Sequence, residues 1–242
     1  MCTVTHIPTR EGIYIASNRD ENLARKSAHA PEITALKSGT ALFPRDAEAS
    51  GTWVALHARG HALVLLNGAF LAHRHKPPYR RSRGLVLLDM VDSSDPFHAF
   101  QGMDLSGIEP FTVVIRTGSL LHDCRWDGVL KHMSALDPLK AHTWSSCTLY
   151  DEAIRKKREQ WFHEFLDSKP SPSLHDIFDH HTHAGDGDQR NDLVMKRDGV
   201  LATVSITGIH MAKGSGIMQY LDLRTGNSTV RMIPLGQTIE IP

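Results

Sequence analysis

The cysteine at position 2 could become the first residue of the mature chain, because the initiator methionine is removed when a small residue follows it. A cysteine at a chain end carries a thiol nucleophile together with a free α-amine that can serve as its base. An α-amine has a reference pKa of about 7.7–8.0, so much of it is neutral near physiological pH. Cys2 is therefore the first candidate nucleophile.

A second group of polar side chains lies at Asn18, Arg19, Asp20 and Glu21. A carboxylate beside an α-ammonium group would orient it, and a side-chain amide could hold a reacting carbonyl. We expect Asp20 to fix the α-amine of Cys2, Arg19 to act as a structural or substrate-carboxylate partner, and Asn18 to contact the substrate. Alternatively, these residues cap a strand end and hold a loop through salt bridges.

A β-hairpin would bring the two groups together. Residues 2–7 are rich in β-branched side chains, as strands are, residues 8–12 are typical of a turn, and residues 13–16 are typical of a return strand. The two groups are therefore expected at the same end of one hairpin.

The register of this hairpin decides which side chains share a face. In a hairpin centred near residue 10, paired positions sum to about 20, so Cys2 is expected opposite Asn18, give or take one residue. If the sum is even, Cys2 shares a face with Asn18 and Asp20, while Arg19 and Glu21 point to the other face. A one-residue slip reverses this arrangement.

The rest of the chain alternates strand patterns with helical stretches. A second hairpin is predicted over 51–56 and 62–67, and amphipathic spacing predicts helices from Ser82 and over 151–166. Residues 41–44 are expected to end a short strand or turn. Further strands are predicted at 111–116, 120–122, 144–148, 201–208, 216–223 and 230–234. Residues 21–31 are expected to be irregular, and 170–191 to be a loop around a short helix at 174–178. Hairpins combined with helices favour sheets covered by helices.

Ordered motifs in the first ninety residues resemble the NRDE, or transport and Golgi organisation, family. They are Met-Cys at the start, Ala-Ser-Asn-Arg-Asp-Glu at 16–21, Gly-Thr-Trp at 51–53, Leu-Asn-Gly at 66–68 and Arg-Ser-Arg-Gly at 81–84. That family is similar to N-terminal-nucleophile (Ntn) hydrolases of the penicillin V acylase and bile salt hydrolase type. The resemblance implies an α+β fold, the four-layer αββα sandwich of antiparallel sheets, as a single domain over residues 1–242.

The resemblance also implies donors for an oxyanion. Asn67 matches the asparagine of the family's Leu-Asn-Gly motif, although an asparagine there could equally form a strand-end turn with Gly68. Related acylases carry a second asparagine before the mid-chain helix, where this chain has Ser-Ser-Cys-Thr at 145–148. We expect the Ser146 hydroxyl or a backbone amide to take that place.

Two functions follow from these residues and this resemblance, and a third possibility is a structural descendant of the hydrolase fold that has lost its chemistry. The first is a cysteine amidohydrolase acting on a small-molecule, non-peptide amide through a thioester acyl-enzyme, with no metal or organic cofactor. The second is a non-enzymatic protein that handles haem or lipid inside the cell, because the family has been linked to haem trafficking and lipid homeostasis. Haem would then be a ligand held by cysteine or histidine. The oligomeric state is left open.

Composition excludes several classes of partner. Basic and acidic residues balance at 27 each, which argues against nucleic acid or an anionic membrane as the main partner. No apolar run approaches the roughly 20 residues of a membrane helix, and no targeting signal is evident. Three cysteines without a Cys-x-x-Cys pair favour a reducing compartment, so we expect a cytoplasmic protein.

A histidine-rich stretch is a candidate metal-binding site. His175, Asp179, His180, His181 and His183 fall within nine positions, and imidazole and carboxylate groups are zinc ligands. The spacing matches no zinc signature, so a solvated loop is the preferred interpretation. The basic run at 155–158 is likewise interpreted as a solvated helix face.

Overall fold

The structure, a computed structural model, describes residues 3–236. Its elements in chain order are β1 (Thr3–Thr9), β2 (Gly12–Asn22), β3 (His29–Leu36), β4 (Gly39–Arg45), β5 (Val54–His57), β6 (His61–Asn67), α1 (Arg83–Val91), α2 (Pro96–Gly102), β7 (Phe111–Thr117), β8 (Leu120–Trp126), β9 (Lys131–Leu136), β10 (His142–Ser145), α3 (Glu152–Ser168), α4 (Leu174–His183), β11 (Lys196–Arg197), β12 (Leu201–Ala212), β13 (Ser215–Asp222) and β14 (Ser228–Pro234). Within these residues no helix is both long and apolar enough to cross a membrane.

Sheet A contains the first strand in an interior position. Its order is β10-β1-β2-β12-β13-β14, all neighbours are antiparallel, and the short β11 pairs with β12. Thr3 pairs with Ser145 on one side and with Asn18 on the other. The beginning of β1 is therefore bounded by the end of β10 and by the Asn18 segment of β2.

Sheet B is a meander in which each strand pairs with the next along the chain, from β3 to β9. Asn67 is the last residue of β6 and pairs with Phe111, the first residue of β7. Asn67 consequently lies at the end of these two interior strands, where β6 ends and β7 begins.

The two sheets pack face to face over an apolar core. Val4 and Ile15 of sheet A belong to the same buried cluster as Trp53, Val64 and Leu66 of sheet B or its approach. Burying such side chains contributes roughly 1.5–3 kcal/mol each. This cluster joins the two middle layers of the fold.

The helices cover the outer faces of the sheets. Leu87 of α1 and Phe100 of α2 are buried against the outer face of sheet B, in a cluster with Phe111. Phe162 of α3 and Ile177 of α4 are buried against sheet A. The order of layers is helices, sheet B, sheet A, helices, so the fold is the predicted αββα sandwich of antiparallel sheets.

Two of the glycine-containing motifs pack directly against each other. A Cβ atom added to Gly51 would lie 2.5 Å from the carbonyl carbon of Gly84, and one added to Gly84 would lie 2.9 Å from the Thr52 oxygen. The Thr52 amide donates to the Gly84 oxygen at 3.2 Å. The start of α1, where Ser82 accepts from the Leu85 amide, is thereby seated on the approach to β5.

The first hairpin has a different register from the one centred on residue 10. Thr9 pairs with Gly12, so only Arg10 and Glu11 form the turn, and paired positions sum to 21. Asn18 therefore pairs with Thr3, and the even register is wrong. Among the described residues, β1 pairs with β10 only from Thr3 to His6. Pro8 can therefore belong to the strand, because no described neighbour on that side needs the N–H that proline lacks.

Other boundaries differ from the sequence patterns as well. Strand β2 continues to Asn22 and β3 begins at His29, where an irregular segment was expected. Strand β9 and helix α2 were not predicted. Helix α4 extends from Leu174 through the histidine-rich stretch to His183, so the expected loop is largely helical.

Candidate active site

Arg19 lies on the face of β2 that is turned toward sheet B. Its Nη2 atom is 2.6 Å from Asp46 Oδ2 and 3.2 Å from Glu21 Oε2, and its guanidinium lies 4.3 Å from the centre of the Trp53 ring. Arg25 Nη2 contacts the other Asp46 oxygen at 2.7 Å. Arg19 is therefore held in a network whose carboxylates already neutralise its charge.

The pKa of Asp46 shows how tightly this network is organised. Burial alone would raise it, but a hydrogen bond from the Ala49 amide and the charges of Arg25 and Arg19 hold the pKa below its ordinary value. Asp46 is consequently a stable anion that orients Arg19.

Asn18 and Asp20 lie on the opposite face of β2, against the helices. Asp20 is 3% exposed, and its two oxygens accept hydrogen bonds of 2.6 Å from the Tyr150 and Thr203 hydroxyls. The Asn18 amide donates to the backbone oxygens of His181 and Leu193 at 3.0 and 2.7 Å. Both side chains connect β2 to the segments packed on it. The predicted split of Asn18 and Asp20 from Arg19 is thus present in the structure.

Asn67 and Ser146 lie next to each other, although Asn67 ends strand β6 of sheet B and Ser146 directly follows strand β10 of sheet A. The Ser146 hydroxyl donates to the Asn67 backbone oxygen at 2.8 Å and lies 2.8 Å from the Thr148 hydroxyl. Ser146 is 1% exposed, so it holds the end of β6 from within. The Asn67 side-chain amide makes no hydrogen bond within residues 3–236 and is available as a donor.

Two cavities share Asn67 as a lining residue. The first, which we call the Arg19 cavity, has a volume of about 210 Å³ and is lined by Arg19, Asp46, Trp53, Asn67 and Arg83, among others. The second, which we call the α3 pocket, has a volume of about 160 Å³ and is lined by Asn67, Arg125, Ser145, Ser146, Arg155 and Glu159, among others. Since Ser145 pairs with Thr3 and Arg19 follows the other partner of Thr3, both cavities lie near the start of β1.

Cys2 itself lies outside the described residues. The cysteines within residues 3–236 have environments that suppress thiolate formation. Burial raises the pKa of Cys124 to about 12, helped by the Asp123 charge. Burial also raises the pKa of Cys147, against the opposing charges of Arg155 and Arg125. Neither thiol is therefore set up as a nucleophile at neutral pH.

Arg158 was missed by the sequence reading, which placed it on a solvated face. It is 2% exposed, and its Nη1 atom donates to the Thr3 hydroxyl at 2.5 Å. Its other nitrogens donate to the backbone oxygens of Asn191 and Asp192. Arg158 thus ties α3 to the first described residue of β1. Arg158 lies four residues before Phe162, an apolar residue expected in the core, so the two share a helix face. This spacing could have predicted that Arg158 is buried.

The histidine-rich helix is used for packing. His181 is fully buried, and its ring nitrogens contact the Thr5 hydroxyl at 2.8 Å and the Asn18 side-chain oxygen. His180 stacks on Phe165 with ring centres 4.5 Å apart, and exposed His183 bonds Asp179. Among the described residues no group of three or more potential ligands has the arrangement of a metal site.

These buried imidazoles predict sensitivity to acid. Burial lowers the pKa of His180 to about 4 and that of His181 well below its ordinary value. The unfolded chain binds these protons near pH 6.5, so their contribution to stability is complete above that pH. It is lost as the pH falls toward 4, by about 1.4 kcal/mol per pH unit for each group. We expect His180→Phe to reduce this loss by one group's share, measured by urea unfolding at pH 7 and pH 5.

The matched control for that experiment is His183→Gln, which alters an exposed histidine of the same helix. It should leave the difference between the two pH values unchanged. An unaltered difference in the His180→Phe protein would show that His180 is not held neutral in the folded state.

The sequence profile of the family described as Transport and Golgi organisation 2 matches residues 1–195. The chain belongs to this family. The resemblance found in the motifs is thereby confirmed, and the match extends beyond them to include α3 and α4. No curated protein sequence matches this member of the Transport and Golgi organisation 2 family.

Solved structures with the Ntn-hydrolase fold are similar in fold to this protein. An N-acylethanolamine-hydrolyzing acid amidase ortholog from Caenorhabditis elegans matches with a TM-score of 0.60 and 11% identity, over 86% of this chain and 92% of its own. A variant of conjugated bile acid hydrolase from Clostridium perfringens matches with a TM-score of 0.58 and 10% identity, over 100% and 98%. At these identities the likeness establishes the fold.

Proposed function

We propose that the protein is an Ntn-type cysteine amidohydrolase that cleaves a non-peptide amide. The observation that carries this proposal is the side-chain amide of Asn67, which has no hydrogen-bond partner among residues 3–236 and lines two cavities near the beginning of β1. An amide donor fixed at such a place is suited to stabilise the oxyanion formed when a carbonyl is attacked. The structural neighbours named for hydrolysing an acylethanolamine or a conjugated bile acid support the same class of reaction.

Strand alternation supports the position of the nucleophile. Thr3 and Thr5 bond to residues of the helical layer, whereas Val4 belongs to the core between the sheets. Continued by one residue, this alternation leads us to expect Cys2 on the side of Val4 and Arg19. Cys124 and Cys147 are poor alternatives because burial raises both of their pKa values.

The proposed reaction has two steps. The Cys2 sulfur attacks the amide carbonyl, its proton passes to the Cys2 α-amine and then to the leaving nitrogen, and a thioester forms as the C–N bond breaks. Water then attacks the thioester, which releases the acid and restores the thiol. Asn67 donates to the oxyanion in both steps, and Ser146 keeps Asn67 in place.

That Asp20 orients the α-amine of Cys2 stays a prediction, and its carboxylate lies on the face of β2 opposite to Arg19. Both of its oxygens accept hydrogen bonds from Tyr150 and Thr203. Arg19, fixed by Asp46, is proposed to border the substrate from the other side of β2. Asn18 is proposed to act indirectly, because its amide is used by the His181 and Leu193 oxygens.

The test is to trap the acyl-enzyme. Short-chain N-acyl p-nitroanilides are incubated with the mature protein, and the reaction is quenched in acid. The mass of the N-terminal peptide is then measured by mass spectrometry. We expect an acyl adduct on the Cys2 peptide and none in Cys2→Ala. Asn67→Ala should form the adduct about 100- to 1000-fold more slowly, because one oxyanion donor is lost.

Asn227→Ala, which truncates an exposed asparagine between β13 and β14, is the matched control and should acylate at the normal rate. An adduct on Cys124 or Cys147, or no adduct at all, would contradict the proposal. If haemin then bound in an absorbance titration that depended on Cys2, the binding function would be the better reading.

A further inference from the structure

The α3 pocket contains a cation with unused hydrogen-bonding capacity. Arg155, in the first turns of α3, lines this pocket and is half-buried. Its Nε atom is buried and has no hydrogen-bond partner within residues 3–236. Arg155 forms no salt bridge among the same residues, and the nearby carboxylate of Glu152, which interacts with its charge, is exposed and paired with Lys156.

The other arginines around Asn67 are engaged. In the α3 pocket, Arg125 makes a two-pronged contact with Asp123 at 2.8 and 2.6 Å and also donates to the Ala69 oxygen. In the Arg19 cavity, Arg19 is paired with Asp46 and Arg83 with Glu109, at 2.6 and 3.0 Å. Arg155 therefore differs from its neighbours in having donors to spare.

The remaining polar groups of the pocket do not pair with the guanidinium of Arg155. Glu159 also lines it, but its carboxylate lies 3.9 Å from His163 on the outer side of α3 and is exposed. The Thr112 hydroxyl donates to the Gly68 oxygen and the Thr143 hydroxyl to the Val4 oxygen. A buried, unpaired guanidinium donor is costly, so a ligand that accepts from it would be stabilised.

The size of the pocket is sufficient for a small ligand group. Its volume of about 160 Å³ is well above the roughly 10–15 Å³ that one water molecule requires. It can accept a small planar anion with a short connection to Asn67. A carboxylate matches the fork of an arginine side chain in shape and charge.

We propose that the α3 pocket binds a carboxylate group carried by the amide substrate, with Arg155 as its ion-pair partner. This inference rests on the proposed function for the identity of the ligand as a substrate. Because Asn67 lines the same pocket, the carboxylate lies within a few bonds of the amide that is cleaved. Arg155 is then a substrate-binding residue that selects acidic amides over neutral ones.

The experiment measures binding in a protein that cannot react. In the Cys2→Ala background, N-hexanoylglycine and its neutral counterpart N-hexanoylethylamine are titrated by calorimetry. We expect the glycine conjugate to bind more tightly. Arg155→Gln should weaken its binding roughly 10- to 100-fold and leave the neutral amide unaffected, and Arg155→Lys should restore part of the affinity.

Lys156→Gln is the matched control, since it removes one positive charge from the adjacent, exposed position of α3. It should change neither affinity. Equal binding of both amides, or no binding of the glycine conjugate, would overturn the carboxylate site. Binding that depends on Arg155, without hydrolysis by the protein carrying Cys2, would instead overturn the amidohydrolase function and leave the site standing.

Discussion

Hydrolysis is expected to fall by about 100- to 10000-fold when Met1 cannot be removed, because the proposed base is the α-amine of Cys2. Inserting one lysine between Met1 and Cys2 prevents removal, since the residue after the methionine is then large. The α-amine moves two residues, up to about 7 Å, away along the chain and is replaced at Cys2 by an amide nitrogen that cannot accept a proton. The measurement is kcat/KM on an amide that the mature protein cleaves, together with the mass of the intact N-terminus.

The control carries the same additional lysine after Pro242, where it leaves the N-terminus unchanged. Both proteins should unfold at the same urea concentration if the extension does not disturb the fold. Undiminished hydrolysis by a protein whose mass includes the methionine would exclude the N-terminal-nucleophile mechanism.

The second large effect concerns stability. Arg158→Met should lower the free energy of unfolding by roughly 3–5 kcal/mol, because it leaves the Thr3 hydroxyl and the backbone oxygens of Asn191 and Asp192 without their donor. Each buried group that loses its partner costs about 1–3 kcal/mol. The methionine also loses the contact of the guanidinium with the Tyr150 ring, at 3.6 Å. Urea unfolding followed by tryptophan fluorescence measures the change.

Lys156→Met is the comparison for this substitution, because Lys156 is exposed two residues earlier on the same helix. It should change the free energy of unfolding by about 0.5 kcal/mol or less. If the two variants were equally stable, Arg158 would not be the connection between α3 and β1 that the geometry indicates.

Strands with buried faces were predictable, whereas the two edge strands of sheet B were not. The buried strands β6, β7 and β12 carry runs of apolar and β-branched residues, and their predictions are confirmed. The missed strands β3 and β9 are the two edges of sheet B, and most of their side chains are at least partly exposed. An edge strand with little buried area has little periodicity for a sequence pattern to show.

The candidate site divides in the same way. The alternation that separates Asn18 and Asp20 from Arg19 follows from strand geometry and is present. The register of the β1–β2 hairpin could not be predicted from the sequence, because the length of the turn sets it and residues 8–12 allow more than one turn. Arg158 was hidden because a basic run usually lies in solvent. The family resemblance proposed roles for Asn67 and Ser146, and the structure joins them through one hydrogen bond.

The order of pairing in the two sheets has a consequence for biosynthesis. All strands of sheet B come from residues 29–136, and no strand of sheet A lies between them in sequence, so sheet B can assemble on the ribosome before sheet A is complete. The hairpin of β1 and β2 must wait for β10, and then for β12, before both of its flanks are paired. We therefore expect the N-terminus to remain accessible to methionine aminopeptidase during much of translation.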